Sequence, residues 1–179
     1  TEYGPPGTFL ISRETDQVLV DWSIAAADET RTFTIHYRVE NAVKVHSDVA
    51  ELYYQFIGDE TEVRTDKTFV RLLLPAGAGE GEVRAWGFGP LAGKVTIRSP
   101  EEILWEAAPL PPETFLEGRV VFPPGLVPQA TVLTGREALP GILAEEEQRA
   151  RQANLLIWLD RFDIVLAAIA VFSAIVLIV

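Results

Sequence analysis

Along residues 31–40, RTFTIHYRVE, apolar and polar residues alternate without a break: Phe33, Ile35, Tyr37 and Val39 against Thr32, Thr34, His36 and Arg38. A period of two is that of a half-buried β-strand. The same period runs through QVLVDWSI (17–24), where Val18, Val20, Trp22 and Ile24 share a side. The preceding TFLISRETDQ reads as a short strand and a polar turn, which predicts a hairpin. ELYYQFI (51–57), KTFVRLLLP (67–75), EVRAWGF (82–88), GKVTIRS (93–99), EILWEAA (102–108) and TFLEGRVVFP (114–123) are further predicted strands. Turn formers separate them: Gly58-Asp59, the stretch from Ala76 to Gly81, Gly89-Pro90, Ser99-Pro100 and the prolines between Pro109 and Pro112. Many short strands with no helix between them predict a mainly β fold, an antiparallel β-sandwich over residues 1–137.

After that the pattern changes. Ala, Glu, Arg, Leu and Ile dominate, with no Pro beyond Pro140 and no Gly beyond Gly141. Residues 138–160 predict a long C-terminal α-helix, a stem in which Glu145 with Arg149 and Glu147 with Arg151 form i,i+4 pairs on a solvated face. The stem is expected to become a transmembrane span over residues 161–179. From Ile164 to Val179 no residue is charged and only Ser173 is polar. A helix apolar all round must be buried in protein or lipid, and a small β domain can hardly enclose it. A bilayer core takes about 20 helical residues, so the span is expected to run on past Val179. Trp158 suits the headgroup zone, and Asp160, Arg161 and Asp163 mark the water side. Ile164, Phe172 and Ile175, with the small Ala167, Ala168, Ala170 and Ala174, are the candidate surface for packing against lipid or a partner helix. Arg149, Arg151 and Arg161 alone would put the preceding side in the cytoplasm.

Composition narrows the function classes. The net charge of −11 over 179 residues argues against nucleic acid as a partner, because phosphate binding needs clustered cations. No Cys occurs, which excludes disulfides and thiolate chemistry. No Met occurs and the first residue is Thr1, so a start upstream or a removed leader is expected.

Candidate chemistry is sparse. His46, Asp48 and Glu51 together could offer a metal one imidazole and two carboxylates, although zinc spacings are absent and Asp48 also suits a turn former's bond to local backbone. His36 sits on the polar side of its predicted strand. Glu101 and Glu102 are adjacent, so a strand would point them to opposite faces, which is wrong for a glycosidase pair. There is no Gly-x-Ser-x-Gly elbow, and GAGEG (77–81) lacks the Lys-Ser/Thr of a phosphate loop. Trp22, Tyr37, Tyr53, Tyr54, Trp86 and Trp105 could stack on sugars, but their alternation makes most of them core. PLPPE (109–113) reads as a rigid connection. No catalytic, cofactor-binding or metal-binding residue is assigned.

FTIHYRVENAV, DVAELYYQFIG, FPPGLVP and the AEEEQRARQAN helix, in that order, resemble the domain-of-unknown-function family 2207, predicted bacterial and archaeal membrane proteins, YciQ-like in name. The similarity runs from about Thr8 to Asn154 and is strongest from Asp48 to Gly58, through Asp48, Glu51, Leu52 and Tyr53. The resemblance implies an exported β domain followed by membrane spans, which sets the β domain outside the cytoplasm against the Arg pattern. It implies no activity. The resulting expectation is a non-enzymatic, membrane-anchored extracytoplasmic interaction or structural module, an accessory subunit of a membrane complex, with the bilayer and other membrane subunits as partners. The alternative is a surface protein that binds or hydrolyses envelope polysaccharide.

Overall fold

A computed structural model describes residues 4–15, 17–155 and 158. The chain divides into two compact units, Thr1–Arg38 and Val39–Val179.

In the first unit the predicted hairpin forms. β1 (Phe9–Arg13) pairs antiparallel with β2 (Val18–Trp22), from Phe9 opposite Trp22 to Arg13 opposite Val18. The strand expected over 31–40 does not form, since residues 29–39 join no ladder. Alternation gives a segment one apolar side but does not supply the neighbour that a ladder requires. Phe33 instead stacks on Trp22 within the same unit, ring centroids 5.3 Å apart.

The second unit holds β3 (Val43–Val45), β4 (Ala50–Ile57), β5 (Thr68–Leu73), β6 (Arg84–Phe88), β7 (Lys94–Ser99), β8 (Glu102–Ala107), β9 (Leu116–Phe122) and β10 (Val132–Leu133). They make a five-stranded sheet in the order β10-β3-β4-β9-β6 and a three-stranded sheet in the order β5-β8-β7. All pairs are antiparallel except β10 with β3, so the larger sheet is mixed rather than purely antiparallel as expected. The one α-helix among the described residues, α1, covers residues 139–155, and a single 3-10 turn covers Pro124–Leu126.

Both sheets feed one core. Ala50, Leu116, Val120 and Phe122 come from the larger sheet, Ile103 and Trp105 from the smaller. Alternation along β9 sends Leu116, Gly118, Val120 and Phe122 inward and Glu117, Arg119 and Val121 outward. The outward set is nevertheless largely buried, because α1 lies across that face, with Val121, Val49 and Ile142 packed together. Trp105 fixes the spacing of the sheets. Its ring lies over Gly87 and Gly118, which face each other across β6 and β9, and its Nε1–H donates to the Trp86 carbonyl at 2.9 Å. A Cβ on Gly118 would stand 2.6 Å from the Phe56 ring and 2.7 Å from the Trp105 ring.

Among the described residues no helix is long and apolar enough to cross a membrane. The span expected over 161–179, with Ile164, Ala167, Ala168, Ala170, Phe172, Ala174 and Ile175, lies outside the described residues. Trp158 is helical and 58% exposed.

The Gly118 contact sets a packing test. Gly118→Ala is expected to destabilise the second unit by about 1–3 kcal/mol through overpacking. Gly125→Ala, with no atom near the added Cβ, should leave stability within about 0.5 kcal/mol. Chemical denaturation of the two variants compares them.

Candidate functional site

The largest departure from an ordinary two-sheet body is a charge cluster between α1 and the outer face of the larger sheet. Arg119 projects outward from the middle of β9, and its side chain is only 8% exposed. Glu51, on the neighbouring β4, is equally buried and accepts from Arg119 Nε at 2.7 Å. From the helix, Glu146 Oε1 and Glu145 Oε2 both accept from Arg119 Nη1, at 2.6 and 2.8 Å. One guanidinium therefore ties two strands to the helix. Burial would lower the Arg119 pKa, but its hydrogen bonds to the three carboxylates outweigh it and raise the pKa well above the ordinary arginine range.

A second cation closes the outer side. Arg149 bonds Glu145 one helical turn away, reaches the Tyr53 hydroxyl at 3.3 Å and lies 4.7 Å from the Phe88 ring centroid. Its pKa is raised, first by the Tyr53 bond. Tyr53, beside Arg119 in register, donates its O–H to Glu117 Oε2 at 2.9 Å. Burial leads the rise in its pKa. Three carboxylates thus share two guanidiniums, and the most exposed of the three, Glu145 at 45%, keeps contact with water. The hydrogen bond from Arg119 is the main reason that the Glu145 pKa lies below the usual carboxylate range.

The helix start is fixed separately. The first amides of a helix have no partner within it. Here Ala138 N and Leu139 N donate to Asp48 Oδ1 and Oδ2, each at 2.9 Å. The capping carboxylate comes from the β3–β4 turn, about ninety residues earlier. Burial pushes the Asp48 pKa up, but these backbone bonds prevail and hold it down. Beside it, the His46 tautomer protonated at Nε2 donates to Glu51 at 3.1 Å and accepts the Thr134 hydroxyl proton at Nδ1, 2.8 Å away.

The metal alternative for His46, Asp48 and Glu51 does not survive this geometry. Asp48 caps the helix in addition to bonding its own backbone N–H, and Glu51 is committed to Arg119 and His46. Among the described residues no group of three His, Cys, Asp or Glu is placed to hold a metal ion. The carboxylates that converge here do so on a guanidinium. Trp105, considered as a sugar platform, is core, while Tyr37 is 71% exposed. Within PLPPE, Leu110 is buried and bridged to Thr65. Glu147 with Arg151 is the solvent-facing pair the sequence implies, whereas Glu145 and Arg149 turn toward the sheet. Arg119 carried no signal in the sequence. Its outward position on a strand was the only clue, and that describes a solvated residue equally well.

The chain belongs to the family described as "Predicted membrane protein (DUF2207) N-terminal domain", whose model matches residues 8–122, more than half its length. Glu51 and Arg119 fall inside the match, whereas α1 and its glutamates follow it, so the AEEEQRARQAN part of the resemblance lies beyond the matched stretch. No curated protein and no solved structure matches the chain.

Two outcomes test the cluster. Arg119→Met strands the carboxylates of Glu51 and Glu146 away from water and is expected to cost about 3–5 kcal/mol, much of it recovered when Glu51→Gln and Glu146→Gln are added. Urea unfolding of the single and triple variants checks this. Acid should also loosen the helix. Asp48 and Glu145 have folded pKa values below their unfolded ones, so the unfolded chain binds more protons in that window and stability rises with pH. Their contribution is complete above the unfolded carboxylate range, about 4, and is lost as pH falls through the lower folded values. The Tm of Asp48→Asn or Glu145→Gln should fall less over that interval than that of the parent chain.

Proposed function

We propose that this chain is a non-enzymatic interaction module of the cell membrane: a β-sandwich outside the cytoplasm, carried on a helical stem and serving as an accessory subunit of a larger membrane complex. The observation that carries this is the clamp of Arg119 on Glu51, Glu145 and Glu146. An enzyme keeps its charged groups open to substrate, with at least one donor or acceptor unspent. In this cluster the charged groups are consumed by one another, and the result is a helix held at a fixed place on a sheet. Such a joint suits a domain that must be presented at a constant attitude on its stem. Membership of a predicted membrane-protein family and the uncharged stretch from Ile164 to Val179 support anchoring in lipid.

Extraction in a mild detergent, followed by identification of what co-purifies, tests both halves. The expected result is a protein that needs detergent and emerges with other membrane proteins in fixed proportion. Recovery as a lone monomer would rule out the accessory-subunit role. Solubility of the intact chain without detergent would rule out the anchor.

A further inference from the structure

We infer that the β6–β7 turn is a second membrane contact, its apolar tip seated in the headgroup region of the same bilayer, with Lys94 on lipid phosphate. This presupposes the anchoring proposed above. The turn Pro90–Leu91–Ala92–Gly93 is closed by Gly93 N–H donating to the Pro90 carbonyl at 2.8 Å. Leu91, at its tip, is 64% exposed. The turn is held close to the body of the domain: Gly89 has φ +138°, and a Cβ there would lie 2.4 Å from the Phe115 carbonyl oxygen. Behind it is a cavity of about 300 Å³ lined mainly by apolar groups, among them Phe88, Pro90, Leu91, Val95, Leu116 and Ala153.

Ala153 gives the location its meaning. It belongs to the last turns of α1, so the β6–β7 turn stands at the end of the helix that leads to the apolar stretch, opposite the end capped by Asp48. Leu155 and Trp158, which follow Ala153, are 56% and 58% exposed. Even fully extended, the chain from Ala153 to Asp163 reaches no more than about 36 Å, which bounds the distance between this turn and the proposed anchor. Charge selects the occupant. The chain carries −11 overall, yet between Glu82 and Glu101 it has no acidic residue and three cations, Arg84, Lys94 and Arg98. Arg98 pairs with Glu102. Lys94 makes no ion pair among the described residues, not even with Glu106 directly across the ladder. A second copy of so acidic a chain would be repelled as a whole, whereas a headgroup layer without net charge offers Lys94 a phosphate partner and Leu91 an apolar bed about 5–10 Å deep. The internal hydrogen bond of the turn suits a region poor in water.

The absence of Cys makes the test clean. Leu91→Cys and, at the opposite end of β6, Glu80→Cys are each labelled with a polarity-sensitive fluorophore in the full chain. Each is reconstituted in phosphatidylcholine–phosphatidylethanolamine vesicles with or without lipids bearing a nitroxide near the headgroup. A blue shift and strong quenching at position 91, neither at position 80, and weaker quenching when Lys94→Glu is added are expected. Water-like, unquenched emission at 91 in chains that float with the vesicles overturns the contact and leaves the anchor standing. A blue shift without lipid quenching means that protein covers the tip, and overturns it as well. Undiminished quenching in K94E removes the phosphate contact. Chains that fail to float overturn the anchor and the second contact with it.

Discussion

A guanidinium enclosed between a sheet and a helix is the constraint on which the rest of the second unit depends. Taking Arg119 out of water costs several kcal/mol unless its donors are met by charged acceptors in good geometry. Glu51 from β4 and Glu145 and Glu146 from α1 meet them at 2.6–2.8 Å. Neither element satisfies the cation alone. The sheet without the helix would leave Arg119 with one carboxylate, and the helix without the sheet would leave its two adjacent glutamates to share Arg149 alone. Since successive helical residues differ by about 100° in direction, a slip of one position along the helix would carry the glutamates off the guanidinium. Asp48 fixes the same helix at its start, so its rotation and its axial position are both set.

The opposite face of β9 carries the second constraint. Gly118 and Gly87 make room for Trp105, whose indole hydrogen bond to Trp86 ties the smaller sheet to the edge strand of the larger. A single seven-residue strand therefore faces an aromatic core on one side and an ion cluster on the other. That is why β9 is buried almost throughout, although its sequence alternates small, charged and apolar residues. The edge strand β6 ends in the Pro90 turn, and the stem passes beside that turn at Ala153. Core, clamp and stem are joined through the same few residues, and a disturbance at Trp105 or Arg119 would be felt at the end that the proposed anchor presents to lipid.

Much of this was legible in the chain. The strands from Ala50 to Phe122 and the helix after Ala138 follow from period and turn chemistry, because sheets and helices bury one face and the pattern records which residues can lie there. β3 and β10 were missed, being three and two residues long, too short for any period to show. The segment from Phe33 to Val39 has the cleanest alternation in the sequence and yet forms no ladder, because pairing belongs to two segments and a pattern to one. At the site, Asp48 and Glu51 were noticed as a group with His46, and the local backbone bond expected of Asp48 is present, but their long-range roles were not foreseen. Their partners lie on β9 and at the start of α1, and spacing along the chain carries no information about contacts that far apart.

The sequence by itself determined the regime of each described segment: β from period two, and helix from composition and the end of Pro and Gly. Tertiary structure decided which polar residues are surface and which are interior. Glu51, Arg119, Glu145 and Arg149 occupy positions that solvent would claim in an isolated strand or helix, and they are enclosed or bridged only because α1 crosses the outer face of the larger sheet. Amphipathic periodicity records one preferred burial face per element. The covering of a second, polar face depends on where another element lies in space, and that is settled by the charges that meet there.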